Sequence, residues 1–293
     1  MNLIQDMTDI ANDIDVLLEG MLPESEFSGD PAEVARYASI DAGKRIRAYL
    51  TVQIAELFNV PREAALRAAA AIEMVHNFSL IHDDLPCIDN DVLRRGKPSS
   101  WAAFGVYQAV LGGDYLLARA FGILAADEKI SPDPAVRLEL IKIMSEMTCG
   151  MVHGEFMDIR AETGIFNTEP EVRRIQNLKT GCIFHACAEF GMVLGNAPAN
   201  ARTAINKYID AFGLCFQITD DILDEIGDEA LVGKTLHKDA AAGKATFISL
   251  CGLEGAQLVA AELSAAAKEA IADLDDKANG LRQLADYLID REY

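Results

Sequence analysis

The sequence is short of strand signals: no stretch sustains the apolar–polar alternation of a half-buried strand, and no hairpin dipeptide separates two β-branched runs. It has no GxxxxGK[ST] or GxGxxG element, which removes the usual nucleotide folds, and no calcium loop of the EF-hand type. No serine elbow or Ser-His-Asp set stands out for nucleophilic hydrolysis. No apolar run approaches the length that spans a bilayer. The first residues, Met1-Asn2-Leu3-Ile4-Gln5-Asp6, carry no basic region, so the expectation is a cytoplasmic protein with no stable membrane anchor. The six cysteines (87, 149, 182, 187, 215, 251) lack CxxC spacing and fall mostly in apolar surroundings, which reads as reduced core thiols. Low-complexity linkers and short repeats are missing too.

Positive charge is scarce. Lys and Arg number 26 against 46 Asp and Glu, for a net charge of −20. That argues against a nucleic-acid partner, which needs bases to displace counterions, and against docking on an anionic membrane. A chain this acidic that handles an anionic substrate must concentrate its bases locally or recruit cations.

What is present is helical. Residues 2–20 place Leu3, Ile4, Met7, Ile10, Ile14, Leu17 and Leu18 at a helical period, with acids on the opposite face. Gly29-Asp30-Pro31 supplies an N-cap and first-turn proline. Gly43-Lys44-Arg45-Ile46-Arg47 opens a helix over 48–58. Residues 62–83 form a long alanine-rich helix, which Pro86 ends because it disfavours helical geometry at Leu85; a chain reversal then brings Asp89 back towards Asp83. Residues 90–98 read as a mobile flap with three positive charges. Helices follow from 99 to 157, with breaks expected at Gly112-Gly113, 127–134 and 150–154. Helices over 169–178 and 179–194 join at Lys179-Thr180-Gly181, and another runs over 196–224. A lysine-bearing loop (227–245) and two or three more helices complete a single all-α domain over 1–293, a multi-helix bundle.

Two acidic clusters stand out, Asp83-Asp84-Leu85-Pro86-Cys87-Ile88-Asp89 and Asp220-Asp221-Ile222-Leu223-Asp224. Bare carboxylates are too costly to bury, so each cluster must face water, pair with bases or share a hard cation. One such cluster reads as a solvated helix end. Two of them, each ending a long apolar run and each followed by a basic loop, favour magnesium, which takes few protein oxygens and completes its shell with water and phosphate. Zinc would want several His or Cys ligands, and the two clusters together hold only Cys87. Asp220 and Asp224 are i, i+4 neighbours on one helix face. His76, two turns before Asp83 and close to the same face, reads as ligand-binding. What fits is a diphosphate met by side-chain cations and metal ions, its departure assisted by Lewis acids.

The ordered set Gly43-Lys44-Arg45-Ile46-Arg47, His76, Leu80 to Asp91, Leu93-Arg94-Arg95-Gly96-Lys97-Pro98, Lys179-Thr180-Gly181 and Phe216 to Asp224 resembles the trans-type isoprenyl diphosphate synthases, closest to bacterial-type short-chain farnesyl diphosphate synthases. Gly233-Lys234, Asp239 and Lys244-Ala245-Thr246 extend the likeness, which covers the chain from about Tyr37 onward. It implies an all-α bundle around a central cavity, with the two clusters on facing helices, and condensation of isopentenyl diphosphate with dimethylallyl or geranyl diphosphate to farnesyl diphosphate. By resemblance, Asp83, Asp84, Asp89, Asp220, Asp221 and Asp224 hold magnesium (three ions in the ternary complex, with manganese able to substitute). Arg94, Lys179, Lys234 and Lys244 grip the allylic diphosphate, while Lys44, Arg47, His76 and Arg95 bind isopentenyl diphosphate. Lys179, Thr180 and Gln217 line the allylic cation, Phe78 and Ser79 set product length, and the protein is a homodimer.

The chain departs from the family pattern at Ala42, Ala48, Val92, the Ser100-Trp101 region and Glu155, none of them an expected ligand. Geranyl or geranylgeranyl diphosphate are the alternative products. A terpene cyclase would carry an Asn/Ser/Glu motif in place of the second cluster, and a non-catalytic subunit would have lost one cluster.

Overall fold

The computed structural model describes residues 2–161, 164–166, 168–226 and 247–291. Lys234 and Lys244, with the rest of the lysine-bearing loop, lie outside the described residues. The chain divides into two compact units, Met1–Ser145 with Glu189–Asn196 and Glu146–Ala188 with Ala197–Tyr293. Both are helical.

In unit 1, α1 (Leu3–Met21) starts where the Asn2 side chain accepts from the Ile4 N–H and buries Met7, Ile10, Ile14, Leu18 and Met21, one stripe of a 3.6-residue repeat. Asp30 caps α2 (Pro31–Ser39), with proline in the first turn as expected. α3 (Ile46–Leu57) follows the basic loop, and α4 (Arg62–Asp83) is apolar on nearly every side. Its alanines bring neighbouring helices close enough to bury Ala65, Ala68, Ala69, Ala70 and Ala71 completely.

The glycine pair expected to break a helix lies inside α6 (Val106–Ala126). A Cβ on Gly112 would sit 2.5 Å from Val34 of α2, and one on Gly113 would overlap the His82 ring of α4. These glycines admit neighbouring side chains rather than end the helix. The true break is at Gly105, whose φ of 111° favours glycine and separates α5 (Ser100–Phe104) from α6. Gly150 and Gly154 likewise lie within α7 (Pro134–Ala161), whereas the 127–134 break is as expected. Two helices are longer and more apolar than the expected absence of any membrane-length run allows. α6 and Phe247–Ala270 reach mean hydropathies of 1.4 and 1.2 over lengths that could cross a membrane. For α6, the packing of Gly112 and Gly113 against α2 and α4 gives this apolarity a place inside unit 1.

Where a flap was expected, β1 (Leu93–Arg94) pairs with β2 (Lys97–Pro98) in a small antiparallel hairpin. Arg95 and Gly96 at the turn both take positive φ, 52° and 75°, as a tight hairpin turn requires.

In unit 2, Thr168 and Glu171 form a capping box for α8 (Glu169–Gln176). The chain then widens into one π-helical turn, Asn177–Gly181, and runs on as α9 (Cys182–Leu194). α10 (Ala199–Ile226) carries the second acidic cluster at its end. α11 (Phe247–Ala270), interrupted at Gly252, and α12 (Asn279–Asp290) pack beside it. Phe184 meets Phe212 and Phe216 edge-on at 5.3 and 5.0 Å, and the buried Tyr208 hydroxyl donates to the Leu281 carbonyl at 2.8 Å. These contacts set the angle at which α10 presents its last turns.

Candidate active site

Three bases open α3, and the structure separates their roles. Arg45, at positive φ and fully buried at its side chain, pairs with Asp15 at 2.5 Å and Glu73 at 3.0 Å and donates to the Ser39 carbonyl. Glu73 also accepts from the Ala48 N–H at 3.2 Å, so this network pins the start of α3 to α4. Arg45 is therefore structural, and Lys44 and Arg47, both partly exposed, are the bases presented beside it.

Arg47 and Arg95 are gathered around His76. Burial pushes the His76 pKa well below its usual value, and the charges of Arg47, Arg95, Arg45 and Arg94 push it further down. Arg95 itself is drawn down to about 10, mostly by burial; Glu73 opposes this, and Arg45, Arg94 and Arg47 add to it. Gly43, at φ 78°, lies where an added Cβ would be 3.1 Å from the Arg95 Nε, and Arg95 donates to Asn77 Oδ1 at 3.2 Å. Cations crowded this closely around a neutral imidazole leave an anion-seeking pocket.

The first acidic cluster forms as the sequence indicates. α4 stops at Asp83, and the Asp89 N–H donates to the Asp83 carbonyl at 2.8 Å, returning the third acid. Asp84 is 2 % exposed and holds Arg94, whose Nε lies 3.0 Å away and whose Nη2 also bonds it; Arg94 reaches Asp91 at 3.4 Å. Burial opposes the charge on Arg94, but Asp84, then Asp83 and Asp89, hold its pKa above the usual value. The hairpin carrying Arg94 is itself tied down. Trp101 Nε1 donates to the Asp91 carbonyl at 2.8 Å, Lys97 Nζ to the Tyr37 carbonyl at 2.6 Å, and the Tyr37 hydroxyl to the Pro98 carbonyl at 2.7 Å. Trp101, a departure in the sequence, thus anchors the turn after the cluster. Phe78 is buried and meets the His82 ring edge-on at 4.8 Å, while the Ser79 hydroxyl donates to the His76 carbonyl at 2.9 Å.

In unit 2, Lys179 and Thr180 sit on the π-helical turn. Lys179 Nζ lies 2.7 Å from both Glu155 and Asp158 of α7. A Cβ on Gly154 would overlap the Lys179 backbone nitrogen, so glycine there lets α7 and the wide turn touch backbone to backbone. Gln217 lines a cavity of about 130 Å³ with Gln176, Asn177 and His185, the last paired with Asp210 at 3.0 Å.

The second cluster ends α10 with Asp220, Asp221 and Asp224 all partly exposed. Asp220 pairs with Arg291, and Asp221 Oδ2 accepts from the Phe247 N–H at 3.0 Å, capping α11. Sequence reading missed Arg291, the cap and the acids around Lys179. The one available signal for Arg291 was an arginine placed just past the last helix.

Among the described residues, no three His, Cys, Asp or Glu side chains already converge as a metal site. The donor chemistry nevertheless suits a hard dication. Each cluster offers three aspartate carboxylates, and the positive group each now holds is a guanidinium.

Two clusters of carboxylates, with a group of bases gathered near His76, define a helical protein suited to diphosphates. The chain belongs to the polyprenyl synthetase family, whose model matches residues 31–284. It is 38% identical over 279 residues to a geranylgeranyl diphosphate synthase of Cyanophora paradoxa, covering 94% of this chain and 93% of that protein. A solved FPP/GFPP synthase from Zymomonas mobilis shares 44% identity at a TM-score of 0.89, over 98% of this chain and 99% of the other. The geranyltransferase of Helicobacter pylori, solved with magnesium and isoprenyl diphosphate, shares 27% identity at a TM-score of 0.84, over 99% and 97%.

Proposed function

We propose that the protein condenses isopentenyl diphosphate with dimethylallyl and then geranyl diphosphate, giving farnesyl diphosphate and releasing diphosphate. The observation that carries this is the division of labour in unit 1. Arg94 lies among Asp83, Asp84 and Asp89, whereas Arg47 and Arg95 surround His76, whose pKa is held low. One anion is met through a dication, and the other by side-chain cations alone.

Asp83, Asp84 and Asp89 would hold magnesium, as would Asp220, Asp221 and Asp224, and the ions would neutralise the charge developing on the leaving diphosphate. Arg94 and Lys179, joined by Lys234 and Lys244, grip the allylic diphosphate. Lys44, Arg47, His76 and Arg95 orient isopentenyl diphosphate. Thr180 and Gln217 face the allylic carbon skeleton with weak dipoles while water is excluded.

Phe78, buried one turn or so before Asp83, supports an early stop to elongation. The names of the relatives span farnesyl and geranylgeranyl synthases, which keeps a geranylgeranyl product as the second reading. Replacing Phe78→Ala is expected to lengthen the main product by one isoprene unit, read by chromatography of the dephosphorylated alcohols; an unchanged profile sinks the floor role.

The reaction class is tested by supplying isopentenyl diphosphate with dimethylallyl or geranyl diphosphate, with and without chelator. Extended linear products that vanish with chelator are expected, whereas cyclic hydrocarbons from the allylic substrate alone would overturn the reading. Homodimerisation is proposed through the exposed apolar residues Val106, Tyr107 and Leu111 of α6, and sedimentation of Tyr107→Glu tests it. The six free cysteines, three of them exposed, support a cytoplasmic setting.

A further inference from the structure

α12 is amphipathic, burying Leu281, Leu284, Ala285 and Leu288, and the side chain just beyond its end turns back into unit 2. The Arg291 side chain is 6% exposed. Its Nη2 donates to the Phe216 carbonyl at 3.2 Å, to Thr219 Oγ1 at 2.8 Å and to Asp220 Oδ1, and the guanidinium carbon lies 4.4 Å from the centroid of the Phe216 ring. The Thr219 hydroxyl donates in turn to the Phe216 carbonyl at 2.9 Å, which leaves its lone pairs for the arginine.

Two neutral acceptors and an aromatic face thus hold the guanidinium where it is whether or not Asp220 is engaged elsewhere. Among the described residues, Arg291 bonds Oδ1 of this carboxylate and leaves Oδ2 aside. The Asp220 side chain is 40% exposed, so the carboxylate is within reach of an incoming cation. A carboxylate gripped by one oxygen has lost most of its rotational freedom before any cation arrives.

We infer that Arg291 is a positioning residue for the second acidic cluster, fixing Asp220 so that its second oxygen is preset for a dication. The inference rests on the reading of Asp220 as a magnesium ligand. It is distinct from a counter-charge role. A counter-charge would compete with the metal, and its removal would tighten metal binding; a positioning group restricts the carboxylate, and its removal loosens metal binding.

The test measures manganese binding by electron paramagnetic resonance, in the presence of a thio-analogue of geranyl diphosphate that does not ionise. Arg291→Gln and Arg291→Lys are each expected to weaken manganese binding about fivefold, the scale of one side chain's ordering. KM for isopentenyl diphosphate and the helical circular dichroism should stay unchanged. Manganese binding that is unaltered or tighter in Arg291→Gln overturns the positioning role, and if that variant fails to fold, Arg291→Lys alone carries the comparison. Asp220→Asn serves as the reference. If it weakens manganese binding while the Arg291 variants do not, only the positioning role falls; if it changes nothing, the metal reading of the cluster falls first.

Discussion

At the first acidic cluster the helix has ended before the third aspartate returns, and the return is made by a turn closed through the Asp89 to Asp83 backbone bond. At the second, Asp224 returns by helical periodicity alone on α10. The arginines differ in the same sense. Arg94 hangs on a two-stranded hairpin and bonds the carboxylates of Asp84 and Asp91, whereas Arg291 follows a packed helix and is also held by a carbonyl, a hydroxyl and a ring. Similar acids therefore sit in two mechanical settings. A guanidinium whose partners are carboxylates can pass to a diphosphate once a dication takes those carboxylates over, but one with neutral anchors stays.

The largest effects should leave the two clusters equal. Asp84→Asn and Asp220→Asn are each expected to lower kcat by about 10²–10³, the scale of losing one preorganised electrostatic group; single-turnover rates that differ widely between the two would break the symmetry of role. Arg94→Gln should separate the clusters. Removing the partner of the buried Asp84 costs about 3 kcal/mol of stability, and thermal melts should recover part of that when magnesium is added, with kcat still down. Loss of stability that magnesium leaves untouched would mean Arg94 is a fixed anchor like Arg291. Asp221→Ala is expected to cost about 1 kcal/mol through the lost cap on α11, and Asp221→Asn, whose Oδ1 can still accept, should keep most of that stability without keeping turnover.

The smallest effect is on pH dependence. His76 has its pKa depressed in the folded state, so below about pH 6.5, the free imidazole value, the unfolded chain binds the extra proton and stability falls with acid. His76→Gln should flatten that part of the urea-melt pH profile, and an unchanged slope would show that His76 is not shielded among the arginines.

Much of this was legible in the sequence because its signals are local. The alanine run and Pro86 bounded α4, Asp30-Pro31 marked the start of α2, the acidic clusters stood out by spacing, and the Lys179-Thr180 pair came from the family resemblance. What was not legible depends on distant neighbours. Gly112, Gly113 and Gly154 look like helix breakers until Val34, His82 and the Lys179 backbone are seen against them. Arg291 lies 71 residues from Asp220, and Phe247 lies 26 from Asp221, separations at which no helical period reports a contact. The hairpin within the flap went unseen because a two-residue strand pair is too short to show alternation, although Arg95-Gly96 carries the turn.

The wide turn at Asn177–Gly181 has a bearing on how this stretch can change over time. Each α-helical residue advances the chain by about 100° of rotation, and a π-helical turn absorbs one additional residue without moving the helices on either side. Deleting a single residue there would leave α8 and α9 in place as one regular helix, yet swing Lys179 and Thr180 about a third of a turn away from Glu155 and Asp158. Substitutions along this stretch alter contacts one at a time, but a one-residue deletion re-aims the whole lysine-bearing face. Chain length joins the identity of Lys179 and Thr180 as a property that the stretch must keep.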